Sequence, residues 1–260
     1  MATREALRRV AAEAVAAPGD YLRREFDRAN TAGEDTARDV TADVDAGAER
    51  RVLETIGAAF SDHAVHTEAS GERVEGDGPG EYRWVADALD GTDNFTAGLP
   101  TFSTAVTLLR DADPVVGAVH LPVQEDTYLA ARDEGVTYNG DRVRADSDLA
   151  GREATVAFVV GSDVRADPEG LAIAGHLRNT IEVRVKRVIE SWAPTVHWAL
   201  LTRGLIEGVV AYDPDREQQY AGELLAGEAG VRTREGDGVF LGAANDDVLM
   251  ELADITEPVF

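Results

Sequence analysis

The stretch Trp84-Val-Ala-Asp87-Ala-Leu-Asp90-Gly-Thr-Asp-Asn-Phe95 constrains this chain more than any other segment. Trp84 to Leu89 is a short apolar run of strand type, interrupted by one carboxylate, Asp87, and closed by Asp90-Gly91, a turn signal. Two carboxylates three residues apart at a strand end can face one pocket. Gly91-Thr-Asp-Asn then reads as a helix start, where backbone N–H groups without intrahelical partners accept an anion such as phosphate. The spacing predicts a metal and phosphate site at a strand–helix corner. The same residues also fit a plain corner in which Asp90 or Thr92 only caps a helix.

A chain of 260 residues can bury a sizeable core and fits one large domain or two small ones sharing an interface. It carries 49 acidic against 25 basic residues, net −24, and Lys186 is its only lysine. No basic stripe exists to neutralise phosphates, which argues against a nucleic-acid partner. The acidic, arginine-over-lysine surface resembles that of proteins from salt-loving archaea, where concentrated salt screens self-repulsion; an ordinary acidic protein is the alternative. No apolar run is long enough to span a bilayer, and Met1-Ala-Thr-Arg-Glu-Ala-Leu-Arg-Arg lacks the apolar stretch of a secretory signal. The expectation is a soluble, cytoplasmic protein with no membrane association. With no cysteine and five histidines lacking paired spacing, thiolate and histidine metal sites are not expected.

In chain order, Thr3 to about Arg28 has helical periodicity with a break predicted at Pro18-Gly19. Asp45 and Glu49 stand one helical turn apart ahead of Val52, Leu53, Ile56 and Phe60, which fits an acidic helix start favoured by the helix dipole. Ala64 to Glu68 reads as a short strand ending in a carboxylate, followed by a Gly-rich surface loop through Gly80. Phe102 to Leu109 and Val115 to Leu121 read as antiparallel neighbours joined at Arg110–Pro114. After about Gly151 the pattern alternates: strands at Thr155–Val160, Ile181–Val185 and Ile206–Tyr212, helices near Glu169–Arg178 and Thr195–Arg203.

Asp87-Ala-Leu-Asp90-Gly-Thr-Asp-Asn-Phe95, followed by Gly98-Leu-Pro100, resembles the signature of the inositol monophosphatase and fructose-1,6-bisphosphatase superfamily, usually Asp-Pro-Ile/Leu-Asp-Gly-Thr-Thr/Ser-Asn-Phe with Gly-x-Pro beyond it. The resemblance implies a layered α-β-α-β-α sandwich of mixed α+β and α/β character. An antiparallel-sheet lobe over residues 1–150 would carry the metal and phosphate motifs, and a smaller α/β lobe over 151–260 would complete the substrate site. It implies a Mg²⁺-dependent phosphomonoesterase acting on a small phosphorylated sugar, polyol or nucleotide, in a family where homodimers are usual. Carried over residue by residue, Glu68, Asp87, Asp90 and the Leu89 carbonyl would hold metal. Gly91 and Thr92 N–H groups would cradle the phosphate, and Glu68, Thr92 and Asp45 would hold and activate the attacking water.

Three departures fall on the substrate side. Asp93 stands where the family has Thr or Ser. In Arg187-Val-Ile-Glu190-Ser191 the family glycine has become Glu190, with Trp192 following Ser191. In Glu217-Gln218-Gln-Tyr-Ala-Gly222, with the register fixed by Gly222, Glu228, Ala229 and Gly230, the family's metal-binding aspartate falls on Gln218, with Asp213, Asp215 and Glu217 nearby. These departures leave open a second expectation, a family-fold protein that binds a metal, a phosphorylated ligand or a protein partner without turnover.

Overall fold

A computed structural model describes residues 3–32, 37–67, 73–74, 82–236 and 238–257. In chain order it forms α1 (Arg4–Ala32), α2 (Ala37–Ala59), β1 (Ala64–Thr67), β2 (Arg73–Val74), β3 (Tyr82–Asp90), α3 (Thr92–Thr96), β4 (Ser103–Arg110), β5 (Asp113–Leu121), β6 (Asp126–Ala131), β7 (Gly135–Tyr138) and β8 (Asp141–Val143). There follow β9 (Thr155–Val160), α4 (Ser162–Ala166), α5 (Pro168–Glu182), β10 (Arg187–Ile189), α6 (Pro194–Thr202), β11 (Gly208–Tyr212), α7 (Arg216–Ala229), β12 (Arg232–Gly236), β13 (Val239–Ala243) and α8 (Asp246–Thr256). The first sheet is eight-stranded in the order β2-β1-β3-β4-β5-β6-β7-β8, antiparallel except where β1 runs parallel to β3. The second is five-stranded, β10-β9-β11-β13-β12, with β9 parallel to both its neighbours.

Strand periodicity of two converts these sheets into layers. On β4 and β5, Val106, Leu108, Val116 and Ala118 face α1 and α2, whose Val10, Leu22, Val52 and Ile56 complete that core. Their alternates Ala105, Val119 and Leu121 face the opposite way, into a core shared with Trp198 of α6 and Leu225 of α7. On β9, Ala157 and Val159 enter the same central core, while Val156 and Phe158 face outward to Leu177 and Ile181 of α5 and Leu252 of α8. The result is an α-β-α-β-α sandwich, the layered class anticipated above.

Two local expectations are corrected. α1 runs unbroken through Pro18. A proline inside a helix costs roughly 3 kcal/mol, but Leu22 and Phe26 beyond it are buried at 0 % and 7 % exposure, and burying two such side chains contributes about 1.5–3 kcal/mol each. The glycine beside it serves packing: a Cβ on Gly19 would lie 2.2 Å from His120 Cδ2 on β5. Ile181–Val185 is not a strand. Ile181 lies one turn beyond Leu177 on the buried face of α5, and its carbonyl accepts from the Arg184 and Val185 N–H groups, closing the helix. Among the described residues no helix is long and apolar enough to cross a membrane.

Candidate active site

β3 and β4 pair with Asp87 opposite Ala105 and Asp90 opposite Ser103, so three steps along β3 match two along β4. In a regular strand residues three apart point to opposite faces. The extra residue re-aims the chain, as β-bulges do, and both carboxylates line one cleft. Gly91 follows with φ +89°, and a Cβ there would come within 3.0 Å of the Thr101 carbonyl oxygen and the Ala193 Cβ, so only glycine suits this corner. The rest of the motif is structural. Asn94 Nδ2 donates to the Thr101 carbonyl at 2.7 Å, and Phe95 packs among Phe26 and Phe102 with ring centroids at 5.7 and 5.1 Å.

The cleft, about 310 Å³, is lined by Asp45, Asp87, Leu89, Asp90, Gly91, Thr92 and Asp93 from the first part of the chain. Val160, Ser162, Arg165, Trp192, Pro194, Asp215 and Gln218 line it from the second. Asp45 reaches it from within α2, which begins at Ala37, so Asp45 and Glu49 are interior residues of that helix and do not start it. Glu49 is buried and does not line the cleft. Glu68 lies outside the described residues.

The individual groups are held by identifiable bonds. Asp87 Oδ1 accepts from the Leu89 N–H at 3.0 Å, and Thr92 Oγ1 donates to the Leu89 carbonyl at 3.0 Å. Asp90 is buried; its Oδ2 accepts from Ser103 Oγ at 3.2 Å and from the Thr195 N–H at 2.8 Å. Thr195 lies in the first turn of α6, whose N-cap residue Ala193 has no side-chain bond to offer. Asp90 thus satisfies an orphan N–H of a helix remote in sequence, where the dipole favours a carboxylate. It caps α6, not the adjacent α3, whose N-cap Gly91 makes no side-chain bond.

The substrate-side expectations divide. Gln218 and Asp93 line the cleft. Glu190 does not: its carboxylate receives Arg178 Nε at 2.8 Å. Ser191 also lies off the cleft and bonds His197 Nε2 at 2.8 Å. Trp192 takes the place expected of them, because β10 ends at Ile189 and the following bend turns the next side chains apart. Of the acids near Gln218, Glu217 pairs with His66 Nε2 at 2.8 Å. Asp215 lines the cleft with its carboxylate accepting from Ser162 N and Oγ at 3.1 and 2.9 Å.

Sequence reasoning passed over Ser162 and Arg165. The available signal was topological: β9 and β11 are parallel neighbours, and ligands of such sheets gather beyond the carboxyl ends of the strands. Val160 ends β9 and Ser162 follows it, and Asp215 follows β11.

Burial pushes the His197 imidazole down from 6.5 to about 4. The folded protein then binds fewer protons than the unfolded chain below pH 6.5, so stability is complete above that pH and falls as the pH drops toward 4. The loss is on the order of 3 kcal/mol, and burial of His63 and His120 acts in the same direction. The urea midpoint should therefore fall between pH 7.5 and 4.5, and His197→Gln should reduce that fall; equal pH dependence in both proteins would refute the assignment.

A profile of the inositol monophosphatase family matches residues 3–255. The fructose-1,6-bisphosphatase/inositol-1-monophosphatase of Aquifex aeolicus is 30% identical over 223 residues, covering 85% of this chain and 82% of that protein. The Nus factor SuhB of Pasteurella multocida is 35% identical over 125 residues, 47% of this chain and 46% of that one. The inositol monophosphatase of Anabaena (Nostoc) superposes with a TM-score of 0.82 at 22% identity, covering 98% of this chain and 97% of that one. The chain belongs to the inositol monophosphatase family.

Proposed function

We propose that the protein is a Mg²⁺-dependent phosphomonoesterase acting on a small phosphorylated sugar, polyol or nucleotide. The observation that carries this reading is the β3 bulge, which turns Asp87 and Asp90 into one cleft with Asp45, the Leu89 carbonyl and Thr92. The donor chemistry fits a hard cation: the lining holds the carboxylates of Asp45, Asp87, Asp90, Asp93 and Asp215 against the single guanidinium of Arg165 among the described residues. Asp87, Asp90 and the Leu89 carbonyl would hold Mg²⁺ together with Glu68. Bound there, the ion would supply Lewis acidity, lowering the pKa of a water and offsetting charge on the phosphate and leaving oxygen.

The chain's own groups do the rest. Thr92 Oγ1 donates its hydrogen bond to the Leu89 carbonyl, which leaves its oxygen to accept a hydrogen bond from a water and so orient a lone pair of that water toward phosphorus. Asp45, and Glu68 in the proposed scheme, would take the proton of that water. Gly91 and Thr92 N–H groups would receive the phosphate oxygens. Asp90, fixed by Ser103 and Thr195, needs no reorganisation on binding. The test is phosphate release from inositol phosphates, sugar phosphates and adenosine 3′,5′-bisphosphate in Mg²⁺ and high KCl. Turnover above an Asp87→Asn control is expected, and none with any ester would overturn the reading.

One observation favours a second reading. Gln218 occupies the cleft wall with a neutral amide, and such a group brings one oxygen but no charge to a cation. A binding protein without turnover would tolerate that exchange, and about half of this chain is similar to a protein named as a factor, Nus factor SuhB, and not as an enzyme. The net charge of −24 argues that any such role runs through protein contacts and not nucleic acid. In the phosphatase reading, Gln218→Asp should lower the Mg²⁺ concentration needed for half-maximal turnover and tighten Mg²⁺ binding by calorimetry at matched salt. An unchanged or weaker Mg²⁺ response would show that Asp215 or another acid already fills the position.

A further inference from the structure

α7 carries Gln218 in its first turn and is tied to the first sheet at both ends. At its C-terminal end the Glu228 carboxylate accepts from the Asp133 and Gly135 N–H groups at 2.8 and 2.7 Å. At its N-terminal end Glu217 Oε2 receives His66 Nε2 at 2.8 Å. His66 lies on β1, which runs parallel to β3 with His66 opposite Val85 and Thr67 opposite Ala86, the residue before Asp87. The bond between them therefore joins the strand leading to Glu68 with the turn that presents Gln218. That turn has no cap of its own: Asp215, its N-cap, makes no side-chain bond to the helix, and its carboxylate accepts from Ser162 instead. His66 Nδ1 is buried and bonds to no described residue, so the polar anchor of the ring is Glu217. Glu217 and Gln218 share with Asp87, Val85 and Ala105 a cavity of about 10 Å³, room for at most one water. The turn has no slack toward β3 and can move only away from it.

We propose that His66 and Glu217 are positioning residues for the metal: their bond holds the first turn of α7 against β1 and so fixes where Gln218 stands relative to Asp87. The inference rests on the metal-binding part of the phosphomonoesterase reading, and adds to it two residues that touch neither metal nor substrate. The pair itself contributes little to stability, since its side chains are 16% and 38% exposed and such pairs are weak. Its effect is geometric. A carboxylate ligand can pass between one- and two-oxygen contact and so absorb a shift of its backbone, whereas an amide offers a cation a single oxygen and no charge. Gln218 therefore depends on a backbone held in place. A carboxylate only accepts, so His66 Nε2 carries the hydrogen of the bond to Glu217. An amide oxygen in place of that carboxylate could accept the same hydrogen, and alanine could not.

The probe is Mg²⁺ alone, titrated by calorimetry into the protein at matched KCl, with the binding lost in Asp87→Asn defining the site and urea midpoints measured beside it. Glu217→Ala and His66→Ala should each weaken that binding by about 10- to 100-fold, the range for groups that orient a metal ligand. The double variant should bind no more weakly than either single one, as expected of partners in one bond. Glu217→Gln should stay within a few-fold of the wild type. Glu228→Ala releases the other end of α7 and should lower the urea midpoint without moving the Mg²⁺ constant. Equal weakening by Glu217→Gln and Glu217→Ala would show that charge matters and position does not. Tighter binding in His66→Ala would make Glu217 a ligand that His66 holds back, and an equal loss in Glu228→Ala would reduce the pair to general anchoring of the helix; each of these overturns the proposal. Unchanged Mg²⁺ binding in Glu217→Ala and His66→Ala refutes it as well and leaves the metal reading standing. A wild-type protein with no Asp87-dependent binding removes the two together.

Discussion

Asp87→Asn should abolish Mg²⁺-dependent phosphate release while the protein keeps its fold. The Asp87 oxygen that accepts from the Leu89 N–H has an equivalent in the asparagine amide, so the local turn retains its bond. The side chain is half-buried, close in volume to asparagine, and lines the cleft. What is lost is one negative charge from a cleft proposed to hold a divalent cation. Groups that only orient a metal ligand typically cost 10- to 100-fold when removed, so loss of a direct ligand should cost more than about 10²-fold in kcat/KM. The measurement is phosphate release with increasing Mg²⁺, alongside circular dichroism and a denaturation midpoint. Turnover within a few-fold of the wild type would remove Asp87 from the reaction; an unfolded variant would show that its role is structural.

The second large effect is on stability, and two substitutions in one helix should move it in opposite directions. Gly222 on α7 faces the indole of Trp198 on α6, and a Cβ there would lie 2.2 Å from both Cγ and Cδ1. The ring cannot retreat. A Cβ on Gly242 of β13 would already meet its Cζ3 at 2.8 Å, Phe240 packs edge-on at a centroid distance of 5.4 Å, and Nε1 donates to the buried Gln219 Oε1 at 3.0 Å. Overpacking of this kind costs about 1–3 kcal/mol or more, against a gain near 1 kcal/mol from replacing glycine by alanine in a helix. Gly222→Ala should therefore destabilise by roughly 2 kcal/mol. Gly227, in the same helix, has nothing within 4 Å of an added Cβ, and Gly227→Ala should stabilise by about 0.4–1 kcal/mol. Urea midpoints for the two variants test both signs. Stabilisation by Gly222→Ala would mean that α6 and α7 separate without cost, and with them the elements that hold Thr195 against Asp90 and Gln218 in the cleft.

The packing at Trp198 also explains why parts of the site were hidden in the sequence. Gly222 served to fix the register of the α7 motif, and that register places Gln218 on the cleft wall. Nothing in the local pattern indicated that Glu190 would turn to Arg178 while Trp192 entered the cleft. Those directions follow from where β10 ends and from which neighbour each side chain meets, and both depend on partners distant in the chain. Pro18 is the opposite case: the break expected there from a strong local signal does not occur, and burial of Leu22 and Phe26 beyond it offsets its cost.

Resemblance of the stretch Asp87–Phe95 to a family signature implied the layered architecture, and the sequence by itself determined the strands and helices whose periodicity is strong and the turn at Asp90-Gly91. These are local matters, set by side-chain pattern and by backbone angles that only certain residues adopt. Tertiary structure alone decided that Asp87 and Asp90 share a face, because a period of two separates them until the bulge against β4 adds a residue. It also decided that Asp90 caps α6 across a gap of 105 residues, and that Arg165 meets Trp192. Such pairings arise from the packing of one sheet and its helices against the other, and no short stretch of chain contains both partners.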